Sequence, residues 1–321
     1  MNAAQAGSQA RRALRLGLVG AGRWGRNYIR TLGAKDGAVL QAVASRNPAT
    51  AALLGGACRI HANWENLLEE PLDGVIVATP PSTHLAIAAR FVERGMPVLI
   101  EKPLCLDLGE AIAFRDTAAR LRVPVVVNHV HLFSPAYRLL KELSPSLGKI
   151  TGIVSAGGRH GPVRPDTPAL WDWGPHDVAM ALDLVGAEPI AVSGRCTLRR
   201  PAASGFKENY EIELEFAAPV TARIAIGNAM PAARRLEVTH DGGTLVYDDF
   251  ADRKLAYRAA GTTPDVRVRE AIAASDLSRP PLEFALGCFC AAIRTADPDP
   301  RQLDLAVGVV RVLDLVGRTA H

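Results

Sequence analysis

No stretch of the 321 residues is apolar for long enough to span a bilayer. Aromatic residues make up only 5%, and the arginines are scattered (Arg11, Arg12, Arg59, Arg199, Arg200, Arg234, Arg235), with no basic stripe interleaved by aromatics. With a net charge of only +4, the chain lacks the electrostatic footprint of a nucleic-acid binder. Cysteine is sparse. Cys58, Cys105, Cys196, Cys288 and Cys290 are an odd number without zinc-ligand spacing, and Cys288-x-Cys290 reads as reduced core thiols of an apolar helix. These absences point to a reducing compartment. Arg11-Arg12 before an apolar run resembles a twin-arginine export signal, but Arg15 and Gly17 break that run, which reads better as a first strand. Residues 1–12 are expected to form a polar, disordered tail. The expectation is a cytoplasmic protein with no membrane and no nucleic-acid partner.

What is present is ordinary for a globular enzyme: 48% hydrophobic and 22% charged residues, in a chain long enough for about two domains. After the strand at residues 15–19 comes Gly20-Ala21-Gly22-Arg23-Trp24-Gly25, then a helical stretch. In such a turn the first glycine permits the bend, the second lets the backbone approach a pyrophosphate, and the third lets helix pack on strand. Strand-like runs recur at 39–44, 73–78, 97–101 and 123–129, separated by helical stretches. That alternation means a parallel, doubly wound sheet, an α/β fold with a Rossmann dinucleotide-binding half.

The second strand ends where dinucleotide enzymes read the ribose. Here it offers Ser45 and Arg46, with no carboxylate to repel a 2′-phosphate, so NADP is favoured over NAD. The strand at 97–101 ends in Glu101-Lys102-Pro103, which puts Lys102 at the carboxyl edge of the sheet, where open α/β folds bind their ligands.

Four motifs then coincide in order: the glycine turn, Ala78-Thr79-Pro80-Pro81-Ser82-Thr83-His84, Glu101-Lys102-Pro103, and Trp171-Asp172-Trp173-Gly174-Pro175-His176-Asp177. Together they resemble the glucose–fructose oxidoreductase / inositol dehydrogenase / MocA family, from about residue 13 to the end. The resemblance implies a Rossmann NAD(P)-binding domain over 13–130. It also implies a substrate and oligomerisation domain over 131–321, with a large open, mostly antiparallel sheet. It implies hydride transfer between a nicotinamide and a secondary alcohol or ketone of a sugar, nucleotide-sugar or cyclitol. Ala78, Thr79, Pro80, Pro81 and His84 would line the cofactor, Glu101 and Lys102 would border the nicotinamide, and Lys102, Asp172 and His176 would form the catalytic group. The segment from Arg164-Pro165-Asp166 to Trp171 looks most like the nucleotide-sugar branch.

The second half, from Ser134-Pro135, changes pattern. Strand-like segments follow at 149–157, 190–198, 210–216, 221–227, 235–240 and 244–247, with a hairpin turn at Asp241-Gly242-Gly243. Residues 211–216 alternate strictly, as in a sheet with one buried and one wet face. Such a sheet can pair with another subunit, giving a homo-oligomer, a dimer or tetramer. Two amphipathic helices, 281–295 and 302–317, close the chain. Pro175 reads as the first turn of a helix, which would put His176 at the helix N-terminus, where the dipole disfavours the imidazolium, and Asp172 in the preceding loop. His129-x-His131, on one side of a strand, suggests a metal pair, but no third ligand has suitable spacing and no metal is expected. His129, Arg159 and Trp171 are the expected substrate contacts. His176 and Lys102 compete for the role of base, the other stabilising the oxyanion. The rival class is a non-catalytic NAD(P)-binding sensor of the same fold.

Overall fold

The computed structural model of the chain describes residues 12–34, 36–161, 163–217 and 219–320. Eleven of the twelve residues read as a tail lie outside the described residues. The twelfth, Arg12, is tied down: its guanidinium donates to Asp73 at 2.7 Å.

The first six strands, β1 (Leu14–Val19), β2 (Ala38–Ala44), β3 (Arg59–His61), β4 (Gly74–Val77), β5 (Val98–Glu101) and β6 (Val125–Asn128), form one sheet in the order β3-β2-β1-β4-β5-β6. Every pairing in it is parallel. Helices α1 (Arg23–Gly33), α2 (His84–Val92) and α3 (Leu108–Leu121) are the crossovers. β4, β5 and β6 are buried along their whole length, as a sheet covered on both faces demands. Each fully buried Leu or Ile there contributes about 1.5–3 kcal/mol.

The second sheet contains β7 (Ile150–Gly158), β8 (Ala191–Ala202), β9 (Gly205–Glu215), β10 (Thr221–Gly227), β11 (Ala233–His240), β12 (Gly243–Asp248) and β13 (Leu255–Ala259), ordered β13-β12-β11-β7-β10-β9-β8. Only β7 and β10 run parallel; the other neighbours are antiparallel, and Asp241-Gly242 makes the hairpin between β11 and β12. Helix α4 (Pro135–Leu143) precedes this sheet, and α5 (Ala169–Val185) packs against its inner face. α5 carries Val178, Ala179, Met180 and Ala181 at 0% exposure, the signature of a helix buried all round.

After β13 come α6 (Val266–Ala274), α7 (Pro281–Thr295) and α8 (Pro300–Thr319). The last two return to the first sheet. Leu282, Leu286 and Phe289 of α7 pack with β1 and α1 residues. α8 has two apolar stripes of the same i, i+3, i+4, i+7 spacing: Leu303, Ala306, Val307 and Val310 enter the first sheet's core, and Val309, Val312, Leu313 and Val316 the second's. One helix therefore locks both sheets together. Of Cys288 and Cys290, only Cys290 is in the core; two residues on a helix are about 200° apart and cannot share a face.

Candidate active site

The first sheet ends in a cavity of about 790 Å³ at the Gly20–Gly25 turn. Gly20 has φ +95°, and a Cβ there would lie 2.8 Å from the Ala78 carbonyl oxygen. A Cβ on Gly25 would lie 2.0 Å from the Gly20 oxygen, so turn and helix touch through bare backbone. Gly22 is the reverse case: its open side meets nothing within 4 Å. α1 begins just after it with no side-chain cap and no acidic residue in its first turn, which leaves its N–H groups free for an anion. Ser45, Arg46, Thr79 and Pro80 line the same cavity, and no carboxylate does so among the described residues. Arg46 is exposed. These features fit a dinucleotide, with the phosphates over Gly22 and the ribose beside Arg46.

Through Gly22, Ala78, Thr79 and Pro80 this cavity continues into a cleft of about 580 Å³ between the two sheets. The cleft brings together Arg23, Trp24, Pro81, Glu101, Lys102, Arg159, Asp172 and His176. Three expected site residues are elsewhere. His84 is fully buried, its ring nitrogens 2.9 Å and 2.8 Å from the Pro103 and Thr79 carbonyls; it braces the cofactor loop against the Lys102 turn from behind. Trp171 lines a separate recess with Thr167 and Phe206. His129 faces away from the cleft, because β6 stops at Asn128 and a 3₁₀ turn (Val130–Phe133) follows, so His129 and His131 do not share a strand face. His131 enters the cleft instead.

Successive side chains on a strand point to opposite faces, and the end of β5 uses this. Glu101 turns toward α1, accepting from the Tyr28 hydroxyl and the Asn128 amide, each at 2.7 Å. Burial pushes its carboxyl pKa up, against those hydrogen bonds. Lys102 turns toward α5 and donates to Asp172 twice, at 2.6 Å to the carbonyl and 3.1 Å to Oδ1. Burial lowers the Lys102 pKa, and Asp172 only partly offsets this. Burial works to raise the Asp172 carboxyl, but Lys102 and Arg164, 3.2 Å away, together hold it low.

His176 is not at a helix N-terminus. α5 starts at Ala169 after Pro168, so His176 is its eighth residue and Asp172 is in its first turn. The imidazole is held well below its ordinary pKa by burial first, then by the charges of Lys102 and Arg234 and by His131, and the helix dipole is not needed. His131 stands edge-on to it with centroids 4.8 Å apart, and its Nδ1 lies 3.1 Å from the Tyr247 hydroxyl. Asp172 bonds Lys102 and Arg164, with no hydrogen bond to His176 among the described residues.

The sequence reading did not assign Trp173, Arg164 or Arg234 to the cleft. Arg234 is 4% exposed and pairs with the fully buried Asp177, to which Ser155 also donates. Its guanidinium lies 5.7 Å from the Trp173 ring. The signal was in the strand: Arg234, Leu236, Val238 and His240 share one phase of β11, so an arginine occupies the inward, apolar register.

Comparison with known proteins agrees with this architecture. A family model described as "Oxidoreductase family, NAD-binding Rossmann fold" matches residues 14–129, and one for the GFO/IDH/MocA C-terminal domain matches 145–246. Inositol 2-dehydrogenase 4 of Saccharopolyspora erythraea is 30% identical over 277 residues, 80% of this chain and 81% of that one. The rhizopine catabolism protein MocA of Rhizobium meliloti is 33% identical over 132 residues, 40% of this chain and 41% of its own length. The chain spans about half the length of MocA and of two further curated relatives. A crystal structure of a protein from Magnetospirillum magnetotacticum MS-1 superimposes with a TM-score of 0.87 at 41% identity, covering 95% of this chain and 99% of that one.

Proposed function

This chain belongs to the GFO/IDH/MocA family, and on that premise we propose that it is an NAD(P)-dependent oxidoreductase acting on a secondary alcohol or ketone of a sugar, nucleotide-sugar or cyclitol. The observation that carries the reading is the convergence of Lys102, Asp172 and His176 in one cleft continuous with the dinucleotide cavity. When bound, the nicotinamide supplies the hydride acceptor. His176 is neutral through the physiological range and takes the hydroxyl proton. Lys102 donates to the substrate oxygen and offsets its developing charge. Asp172 orients the Lys102 ammonium, and Arg234 and Arg159 flank the substrate. NADP is the preferred cofactor, supported by Arg46 and the absence of a lining carboxylate. The outward face of the second sheet carries the ion pairs Arg195–Glu211 and Arg223–Glu213 and a half-exposed Val154, which supports a dimer or tetramer formed through that sheet. No disulfide joins any of the cysteines, which supports a reducing, cytoplasmic setting.

Lys102→Met should reduce turnover by about 10³-fold while leaving dinucleotide affinity, read by fluorescence, within about twofold. Full turnover in this variant would sink the scheme, and dinucleotide binding without turnover of any sugar by the wild type would favour a sensor. The pH profile follows from two lowered pKa values. Its acid limb should fall below the ordinary histidine range, because His176 protonates late as pH drops. Its alkaline limb should fall below the ordinary lysine range, because Lys102 gives up its charge early as pH rises.

A further inference from the structure

Arg234 is a buried cation where packing alone does not call for one. It is 4% exposed, on a β11 register that it shares with the fully buried Leu236 and Val238. A buried ion pair adds little net stability over apolar side chains of similar size, so its pairing with Asp177 does not by itself explain it. Its surroundings fix how the guanidinium is turned. Gly157, opposite it on β7, is bare, and a Cβ there would lie 2.5 Å from Nη1. Nη1 donates to one oxygen of Asp177, Ser155 donates to the other, and the Trp173 ring flanks the guanidinium at 5.7 Å. Nε and Nη2 have no hydrogen-bond partner among the described residues, yet neither is sealed from solvent. These two atoms present the flat, side-on fork of an arginine, and Arg234 lines the catalytic cleft. Its charge lowers the pKa of both His131 and His176, which puts it near the proposed base.

Most other charges of the cleft are already paired. Asp166 and Asp172 hold Arg164, Asp172 also holds Lys102, Asp249 holds Lys254, and Glu101 faces Tyr28 and Asn128. Arg23 opens α1 beside Gly22, on the dinucleotide side. Arg159 is left over: it lines the cleft, is exposed, and has no ion-pair partner among the described residues. Gly158 pairs with Ala233, so Arg159 and Arg234 stand at the same end of neighbouring strands.

We propose that the substrate is a sugar acid, whose carboxylate is received by the open edge of Arg234 and by Arg159. The inference rests on the oxidoreductase reading and narrows its substrate class, since a neutral sugar or cyclitol would bring no charge to either guanidinium. Asp177 already balances Arg234, so this end of the cleft offers one uncompensated charge, that of Arg159. One charge suits a carboxylate, whereas a phosphate monoester carries about −1.5 to −2 at pH 7. A planar carboxylate also matches two parallel N–H groups. The acid group takes no part in hydride or proton transfer; it holds the ring so that the hydroxyl to be oxidised meets His176.

Matched sugars that differ at a single carbon test this. With dinucleotide-loaded protein, kcat/KM is measured for glucuronate against glucose, galacturonate against galactose, and UDP-glucuronate against UDP-glucose. In the pair whose ring fits, the acid should exceed its neutral partner about 10²-fold, about tenfold for each charge-assisted contact. That advantage should fall about tenfold in Arg159→Gln and further in Arg159→Glu, and it should shrink as salt is raised, because Arg159 is exposed. A neutral partner used as well as the acid in every pair overturns the proposal, as does an advantage that Arg159→Gln leaves intact. Glucose 1-phosphate preferred over glucose, with no preference for either uronate, overturns it in favour of a phosphate site. If no sugar of any pair is turned over, the oxidoreductase reading fails by itself. Calorimetric titration of the loaded protein with glucuronate and with glucose then still decides the charge. Tighter binding of the acid, weakened in Arg159→Gln, supports the sugar-acid site, and equal binding overturns it.

Discussion

The two halves of the cleft are made of different material. The dinucleotide half is built from backbone: bare glycines at Gly20, Gly22 and Gly25, an uncapped helix start, and the proline at Pro80. The half proposed to be catalytic is built from polar side chains: Lys102, Asp172, the neutral His176, and Arg234 held by Asp177, brought from β5, α5 and β11. A backbone site is fixed by a few adjacent residues and their allowed dihedrals. A site of buried charges exists only when every partner is in place, since each charge alone would be costly to bury.

The sharpest way to break this contrast is at Asp177. It is fully buried and bonded to Arg234 and Ser155. Removing one partner of a buried pair costs about 3–5 kcal/mol, because the other charge is left uncompensated. Asp177→Ala should lower unfolding stability by about that amount, measured by denaturant midpoint. Asp177→Asn should lose less and, if Arg234 flanks the substrate as proposed, raise KM more than it lowers kcat. Unchanged stability and kinetics in both variants would mean that Arg234 is held by something other than Asp177.

The next largest effect separates two glycines of one turn. Gly25→Ala puts a methyl group against the Gly20 oxygen at 2.0 Å, so it should both destabilise the fold and weaken dinucleotide binding, by about 10²-fold on the latter. Gly22→Ala meets no protein atom within 4 Å and has φ −73°, so the free protein should keep its stability to within about 0.5 kcal/mol. Its methyl group would still occupy the space assigned to the pyrophosphate, and affinity should fall. Calorimetry and dinucleotide titration on both variants give the comparison. Unimpaired binding by Gly22→Ala would remove the phosphates from that position.

This difference in material also governs what could be read from the sequence. The glycine turn, the strand–helix alternation and Lys102 at a strand end were legible because each is written in adjacent residues. Most of the second sheet was legible from alternation, but β13 and α6 were not: Leu255–Ala259 is five residues with only Leu255 buried, and α6 buries only Val268. His176 was placed in the wrong part of its helix because Pro175 reads locally as a first turn. The helix in fact starts at Ala169 after Pro168, with Pro175 inside it. Arg234 was visible as an arginine in an apolar register, yet its partner, Asp177, is 57 residues away. His129 and His131 exchanged places relative to the cleft because a strand ended one residue early.

Arg46 supplies the smallest and most discriminating test, because it is the one charged side chain assigned a job in the backbone-built half. It is exposed, so any contribution it makes is screened and modest. If it pairs with a 2′-phosphate, Arg46→Ala should weaken NADP by about tenfold and leave NAD unchanged, the loss of one charge-assisted contact. If it stacks on the adenine, both dinucleotides should weaken equally. If neither changes, the dinucleotide half uses no charged side chain at all, and the division between a site of backbone and a site of buried charge is complete. A loss confined to NADP would instead show that selectivity is added by a side chain to a cradle the backbone has already made.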